Sequence, residues 1–331
     1  MKALVYTAPY TLEFTDVVEP VPSAGEVLVR VDAVGICGSD VHAYHGHDSR
    51  RLPPVILGHE ASGEAMNGLL TGQKVTINPL VTPADGKFAR FGRPNLDSRR
   101  QIISMQPRQG AFAQYVVVPE SNVIPLPENF DVGTAALAEP LAVSWRAAKR
   151  GCALLMTPLD EVRAVVLGGG AIGLGAALAL RHFGIRDIAV AETNPVRHSM
   201  ISAQGGFRLY VPGESAAPKE NSIDLVIDAV GAASTRAAAC QMVEPGGVIV
   251  HIGLLPGSDG LDVRKITLQE ITLTGAYCYT PDDFRDTVAA MIAGDLGGLD
   301  WFETRALSEG ADAFADIDNG LISRAKVVLR P

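Results

Sequence analysis

Three side chains in the first sixty residues have the types that a catalytic metal requires. Cys37 lies in Gly35-Ile-Cys-Gly-Ser-Asp40, and the adjacent His59 and Glu60 close the motif Gly58-His-Glu60. A thiolate, an imidazole and a carboxylate that leave one position open make a zinc site in which a substrate oxygen can exchange. A single Cys and a single His also occur as ordinary packing residues, so the neighbourhood carries the reading. Asp40 is suited to hold the His59 ring, Ser39 to meet an alcohol, and His42 to pass a proton outward.

A second constellation binds phosphate. Gly168-Gly-Gly170-Ala171-Ile172-Gly173 follows the apolar run Ala164-Val-Val-Leu167 and precedes an Ala/Leu-rich segment. Glycines are needed there so that the backbone can turn tightly, approach a pyrophosphate and let the helix pack on its strand, with the phosphate at the helix N-terminus. Glu192 stands 19 residues after Gly173, at the end of the next apolar run, where a carboxylate accepts hydrogen bonds from both hydroxyls of the adenosine ribose. The same carboxylate repels a 2′-phosphate, which favours NAD over NADP. Arg197, one helical turn further on, is placed either to stack on the adenine or to be solvated.

The elements that must position these residues fall into two textures. Up to about residue 130 the apolar stretches are short, β-branched and punctuated by Gly and Pro, as in Val27-Leu-Val-Arg-Val31, Lys74-Val-Thr-Ile77 and Tyr115-Val-Val-Val118, which predicts a mostly antiparallel β domain. From about 143 strands alternate with helices: Ala164–Leu167, a helix from Ala171, Ile188–Ala191, a helix after Pro195, Ile223–Ile227, a helix over Thr235–Met242, and Val248–Ile252. That alternation predicts a doubly wound parallel sheet. Helices over Asp282–Ala293 and Ala311–Asn319 and a strand at Ala325–Leu329 follow.

Bulk properties narrow the function. A chain of 331 residues holds two domains. With 28 Lys and Arg against 37 Asp and Glu the net charge is −9, and no basic run occurs, so neither nucleic acid nor a membrane surface is an expected partner. The longest uncharged stretch, Ala164–Leu180, has 17 residues and is rich in glycine, and no secretory apolar region follows the N-terminus, so a cytoplasmic location is expected. The four cysteines, Cys37, Cys152, Cys240 and Cys278, form no CxxC pair and are expected as reduced thiols.

The ordered series Gly25-Glu-Val-Leu-Val, Cys37-Gly-Ser-Asp-Val-His42, Leu57-Gly-His-Glu60, Gly110-Ala-Phe-Ala-Gln-Tyr115, Glu139-Pro-Leu, the Gly168 turn, Ile227-Asp-Ala-Val-Gly231, Pro245-Gly-Gly247 and Lys326-Val-Val-Leu resembles the zinc-dependent medium-chain dehydrogenases, in their polyol (sorbitol) dehydrogenase-like branch. The resemblance spans essentially the whole chain. It implies a GroES-like β-rich catalytic domain, residues 1–142 and 282–331, and a Rossmann domain, residues 143–281. It implies zinc contacts from Cys37, His59 and Glu139, with Glu60 as a ligand that swings in or out or stays bonded to a basic or amide group. Ser39 and His42 carry over as a proton relay, and Val230 and Gly253 as further cofactor contacts. The implied reaction moves a hydride between NAD and the secondary alcohol of a polyol, sugar acid or related small molecule, zinc acting as Lewis acid in a cleft between the domains. A homodimer or homotetramer is implied. The rivals are a zinc-independent NADPH-dependent quinone or enone reductase and a non-enzymatic nucleotide-binding protein. Loops around Tyr44, His45, His47 and Phe112 are expected to select the substrate, with His45 and His47 facing solvent.

One departure stands out. Many relatives hold a second, structural zinc on four closely spaced cysteines, and the matching positions are Pro83, Gly86, Ala89 and Asp97. With no thiol there, one catalytic zinc and no structural zinc are expected, and residues 84–109 are expected as a polar loop.

Overall fold

The computed structural model describes residues 1–214 and 216–331. The chain divides into two compact units, one of residues 1–140, 280–293 and 300–331, the other of residues 141–279 and 294–299.

The first unit is built around one strand. Glu26–Gly35 buries Val27, Val29 and Val31 on one face and leaves Leu28 and Arg30 half-buried on the other, the period of a strand with one face on a core. It pairs antiparallel with Glu60–Ala65, Tyr115–Pro119 and the closing strand Lys326–Arg330. The register sets Gly35 opposite both Glu60 and Val328, so the last strand of the chain lies beside the motifs near its start. Val27, Leu57, Phe112, Phe314 and Leu329 fill the core beneath. The region from 84 to 109, expected as a polar loop, has structure of its own. Gln101–Ile102 pairs with Leu80–Val81, and a short helix runs over Lys87–Arg90.

The second unit is the expected doubly wound sheet. Its six strands lie parallel in the order Arg208–Tyr210, Asp187–Ala191, Arg163–Leu167, Ile223–Asp228, Val243–His251, Thr272–Gly275. Val165, Val166, Val226, Ile227, Val248 and Val250 are buried without alternation, because helices cover both faces of such a sheet. The order reverses between Arg163–Leu167 and Ile223–Asp228, the switch point at whose carboxyl ends sheets of this kind bind their ligands. Among the described residues no helix is long and apolar enough to cross a membrane.

Candidate active site

Backbone geometry brings the metal-type side chains together. Cys37 caps the helix Gly38–Tyr44 just beyond the central strand, and His59 immediately precedes the strand whose first residue, Glu60, lies opposite Gly35. One ligand atom from each of Cys37, His59 and Glu60 lies within 4.8 Å of the others. Asp40, fully buried, serves as a hub beneath them: Oδ2 accepts the Cys37 N–H at 3.1 Å, Oδ1 accepts the Gly58 N–H at 3.3 Å and lies 3.3 Å from His59 Nδ1. Burial alone would push the His59 pKa down, but the charges of Asp40 and Cys37 hold it well above the usual imidazole range. Burial opposes the charge on Asp40 too, and His59, Arg51 and the Cys37 N–H together keep the carboxyl below its ordinary value.

The donor set fits zinc. Thiolate, imidazole and carboxylate are the ligands that ion takes, and Glu60 Oε2 is buried with no hydrogen-bond partner, a condition polar groups rarely tolerate unless something charged meets them. The other oxygen, Oε1, is 2.7 Å from Lys326 Nζ, which also donates to the Ile36 carbonyl at 3.0 Å. A bond to a basic group is one of the arrangements expected for Glu60, and Lys326 supplies it. Burial disfavours the lysine charge, and Glu60, Cys37 and Glu139 together more than restore it. Glu139, in the first turn of the helix Ala138–Cys152 and nearly buried, acts on Lys326 through its charge but stands outside the 4.8 Å group.

The relay candidates share the helix Gly38–Tyr44. Ser39 Oγ accepts from Arg51 Nη2 at 3.3 Å, and its carbonyl accepts from Nη1 at 3.3 Å. Arg51 is buried and neutralised by Asp48 at 2.8 Å. His42 is exposed on the same helix, its ring centroid 5.4 Å from that of His47. Two of the residues expected to choose the substrate are placed differently. Phe112 is wholly buried and packs on Gly58 and Phe314, because the left-handed Gly58 leaves room for its ring. His45 turns its ring to Asp318, Nε2 lying 2.8 Å from Oδ1, and is only 21% exposed instead of facing solvent.

The phosphate turn has the shape its glycines require. Gly168 has φ +99°, and a Cβ on Gly173 would strike the Gly168 carbonyl, so that the helix Ala171–His182 starts close against its strand. Gly170 caps that helix, Ala171 opens it, and the Ile172 carbonyl accepts from Ser144 Oγ at 2.8 Å. Val230 packs on Gly168, and Gly253 on the Val230 backbone, so the expected cofactor contacts meet at one end of the sheet. Glu192 bridges the Gly169 N–H at 3.2 Å and the Asn194 N–H at 2.7 Å. Arg197 turns toward it, Nη1 lying 3.7 Å from Oε2, and its Nε is buried without a hydrogen bond, so it is neither free nor fully solvated.

The family model of the alcohol dehydrogenase GroES-like domain matches residues 23–128, and that of zinc-binding dehydrogenases matches residues 171–293. L-galactonate-5-dehydrogenase of Escherichia coli is 30% identical over 89% of this chain and 88% of its own. The chain belongs to the zinc-binding alcohol dehydrogenase family. Two solved structures extend the likeness: an E. coli alcohol dehydrogenase complexed with NADH (25% identity, TM-score 0.90, 100% and 99% of the two chains covered) and a Sinorhizobium meliloti zinc-binding dehydrogenase bound to NADP (25% identity, TM-score 0.89, 100% and 99% covered).

Where many members of the family carry the thiols of a structural zinc, this dehydrogenase has an ion pair. Gly86 and Asp97 are in direct contact, and Arg99 reaches Asp97 at 3.3 Å and Asp85 at 3.0 Å, tying the start of the lobe to its middle. Arg99 holds the Asp97 carboxyl below its ordinary value by hydrogen bonds from its side chain and its backbone N–H. Sequence reasoning assigned no role to Lys326 or Arg51. Lys326 had a signal, being the one charge at the mouth of a buried apolar strand, Val327-Val-Leu329. Arg51 had none, since nothing in Ser49-Arg-Arg-Leu52 distinguishes its buried guanidinium from that of exposed Arg50.

Proposed function

We propose that this dehydrogenase transfers a hydride between NAD and the secondary alcohol or ketone of a polyol, sugar acid or related small alcohol, with a single zinc held by Cys37, His59, Glu60 and Glu139. The observation that carries this reading is the convergence of Cys37, His59 and Glu60 with one Glu60 oxygen buried and unpaired. When bound, zinc supplies the Lewis acidity that makes a secondary alcohol acidic near neutral pH, and NAD supplies the hydride acceptor.

The chain's own residues do the rest. Asp40 orients His59 and so fixes which ring nitrogen faces the metal position. Lys326 compensates the extra carboxylate, keeping the site from becoming anionic. Ser39, steadied by Arg51, takes the proton from the alcohol, and His42, exposed on the same helix, delivers it to solvent. Glu192, at the end of the second cofactor strand, supports NAD over NADP because it offers a carboxylate to the ribose diol. The sugar-acid activity named for the E. coli relative supports the substrate class. Self-association is supported by the open edge strand Thr272–Gly275, whose Leu273 is exposed, and by exposed Leu254, Val263 and Leu268 in the same unit. A homodimer or homotetramer in the cytoplasm is the assembly we propose.

The test is incubation with NAD and a panel of polyols and sugar acids while reduced nicotinamide absorbance is followed. Reduction with at least one of them is expected. A protein that reduces quinones or enones with NADPH, and oxidises no alcohol, contradicts the assignment.

A further inference from the structure

An Asp–His pair at the carboxyl end of the cofactor sheet has no part in the arrangement above. Asp228 ends the strand Ile223–Asp228, His251 ends its neighbour Val243–His251, and the register sets them side by side. The Asp228 carboxylate is fully buried and gathers three donors: Oδ1 accepts the N–H of Val230 at 3.1 Å and of Gly231 at 2.8 Å, while Oδ2 lies 3.1 Å from His251 Nδ1. A carboxylate only accepts, so the ring hydrogen is assigned to Nδ1 from this network, and in the neutral imidazole Nε2 then carries a lone pair. No hydrogen bond reaches Nε2 among the described residues, and the side chain is 31% exposed. The result is an acceptor of fixed orientation at the carboxyl end of the sheet.

Strand order decides which half of a dinucleotide it serves. Glu192 follows the strand Asp187–Ala191, on one side of the switch point, where the adenosine ribose is bound. The other nucleoside of a molecule spanning the switch point lies over Ile223–Asp228 and Val243–His251. Its donors there are the ribose hydroxyls and the carboxamide N–H.

We propose that His251 contacts the cofactor, its Nε2 accepting a hydrogen bond from the nicotinamide nucleoside, and that Asp228 is the positioning residue that keeps Nε2 an acceptor. This rests on the reading of the second unit as a nicotinamide dinucleotide site. Because the contact belongs to binding, it is measured without turnover, by calorimetric titration of the full chain with NADH, its 3-acetylpyridine analogue, ADP-ribose and ADP.

His251→Ala weakens NADH about 2- to 12-fold, the range for one neutral hydrogen bond, and leaves ADP unchanged. His251→Gln, which keeps an acceptor, recovers part of the loss. If a ribose hydroxyl is the donor, ADP-ribose weakens in parallel; if the carboxamide is, ADP-ribose is unaffected and the acetylpyridine analogue, which lacks the N–H, is insensitive to the substitution. In Asp228→Asn the two peptide N–H groups keep the amide oxygen on their side, so the NH2 faces Nδ1 and drives the hydrogen to Nε2. Ring 15N shifts then report the other tautomer, and NADH affinity falls as in His251→Ala. Unchanged NADH affinity in His251→Ala, or an equal loss for ADP, overturns the proposal. Wild-type protein that binds no NADH contradicts the cofactor reading instead.

Discussion

The Lys326–Glu60 pair makes a demand on stability that can be sized. Its partners are 2.7 Å apart with side-chain exposures of 4% and 0%, and among the described residues the only other acceptor on Nζ is the Ile36 carbonyl at 3.0 Å. Lys326→Met keeps most of the volume and removes the charge, leaving the buried Glu60 carboxyl without its cationic partner. Deleting one partner of a buried pair costs about 3–5 kcal/mol. For a domain of this size that corresponds to a loss of roughly 6–20 °C in melting temperature, at about 2–4 °C per kcal/mol. Replacing both charges is often neutral, so Glu60→Gln/Lys326→Met recovers all but about 1 kcal/mol of the single loss. Thermal unfolding followed by circular dichroism, on chelator-treated protein so that metal affinity does not enter, is the assay. A single variant within about 1 kcal/mol of wild type, or a double variant no more stable than the single, refutes the claim that the lysine charge holds Glu60 in place.

Three further outcomes follow from the same geometry. Glu192→Ser raises the Michaelis constant for NAD and narrows the preference over NADP, measured as the ratio of kcat/KM for the two cofactors; wild type that uses both equally removes the basis for this expectation. Desalted protein carries one zinc per chain by elemental analysis, and Cys37→Ser abolishes turnover while NADH still binds, because an alcohol side chain cannot replace a soft anionic ligand. In the second unit, burial resists ionisation of Asp224, but hydrogen bonds from the Arg163 N–H, the Glu244 carboxyl and the Arg163 guanidinium together prevail, and its pKa is lowered. A lowered folded-state pKa contributes stability above the unfolded value near 4, and that contribution is lost as pH falls through the folded value. Arg163 is 43% exposed, so Asp224→Asn should cost only about 1 kcal/mol at pH 7, and the gap to wild type should narrow as pH falls below the unfolded value near 4, read from urea midpoints.

Much of the fold was legible because its signals are local. The Gly168 turn, the all-apolar strand before it and the acidic Glu192 after the next strand each obey a spacing rule, and the sheet is parallel, as the strand–helix alternation predicts. Cys37 and His59-Glu60 were legible for another reason: only a few residue types make zinc ligands, and the flanking Asp40 strengthened the case. What escaped depends on contacts between distant segments. Lys326 reaches Glu60 across 266 positions because the final strand pairs beside the central one, a register no local pattern encodes. Arg51 and Phe112 were unreadable because burial, not residue type, decides what they do. The lobe at 84–109 lacked the thiols that would have signalled a cross-link, and the Asp97–Arg99 pair in their place resembles any surface charge pair in sequence. Asp228 and His251 lie 23 positions apart and meet only through the parallel register.

The central claim is that Cys37, His59 and Glu60 hold a zinc on which alcohol oxidation depends. Its most direct test is to strip the protein with a chelator, confirm by elemental analysis that zinc is gone, and titrate zinc back while recording NAD reduction by a sugar acid or polyol that the untreated protein oxidises. Activity should vanish with the metal and return in proportion to zinc, reaching its plateau at one equivalent per chain. Full turnover in the stripped protein, or a plateau only at two equivalents, would contradict it.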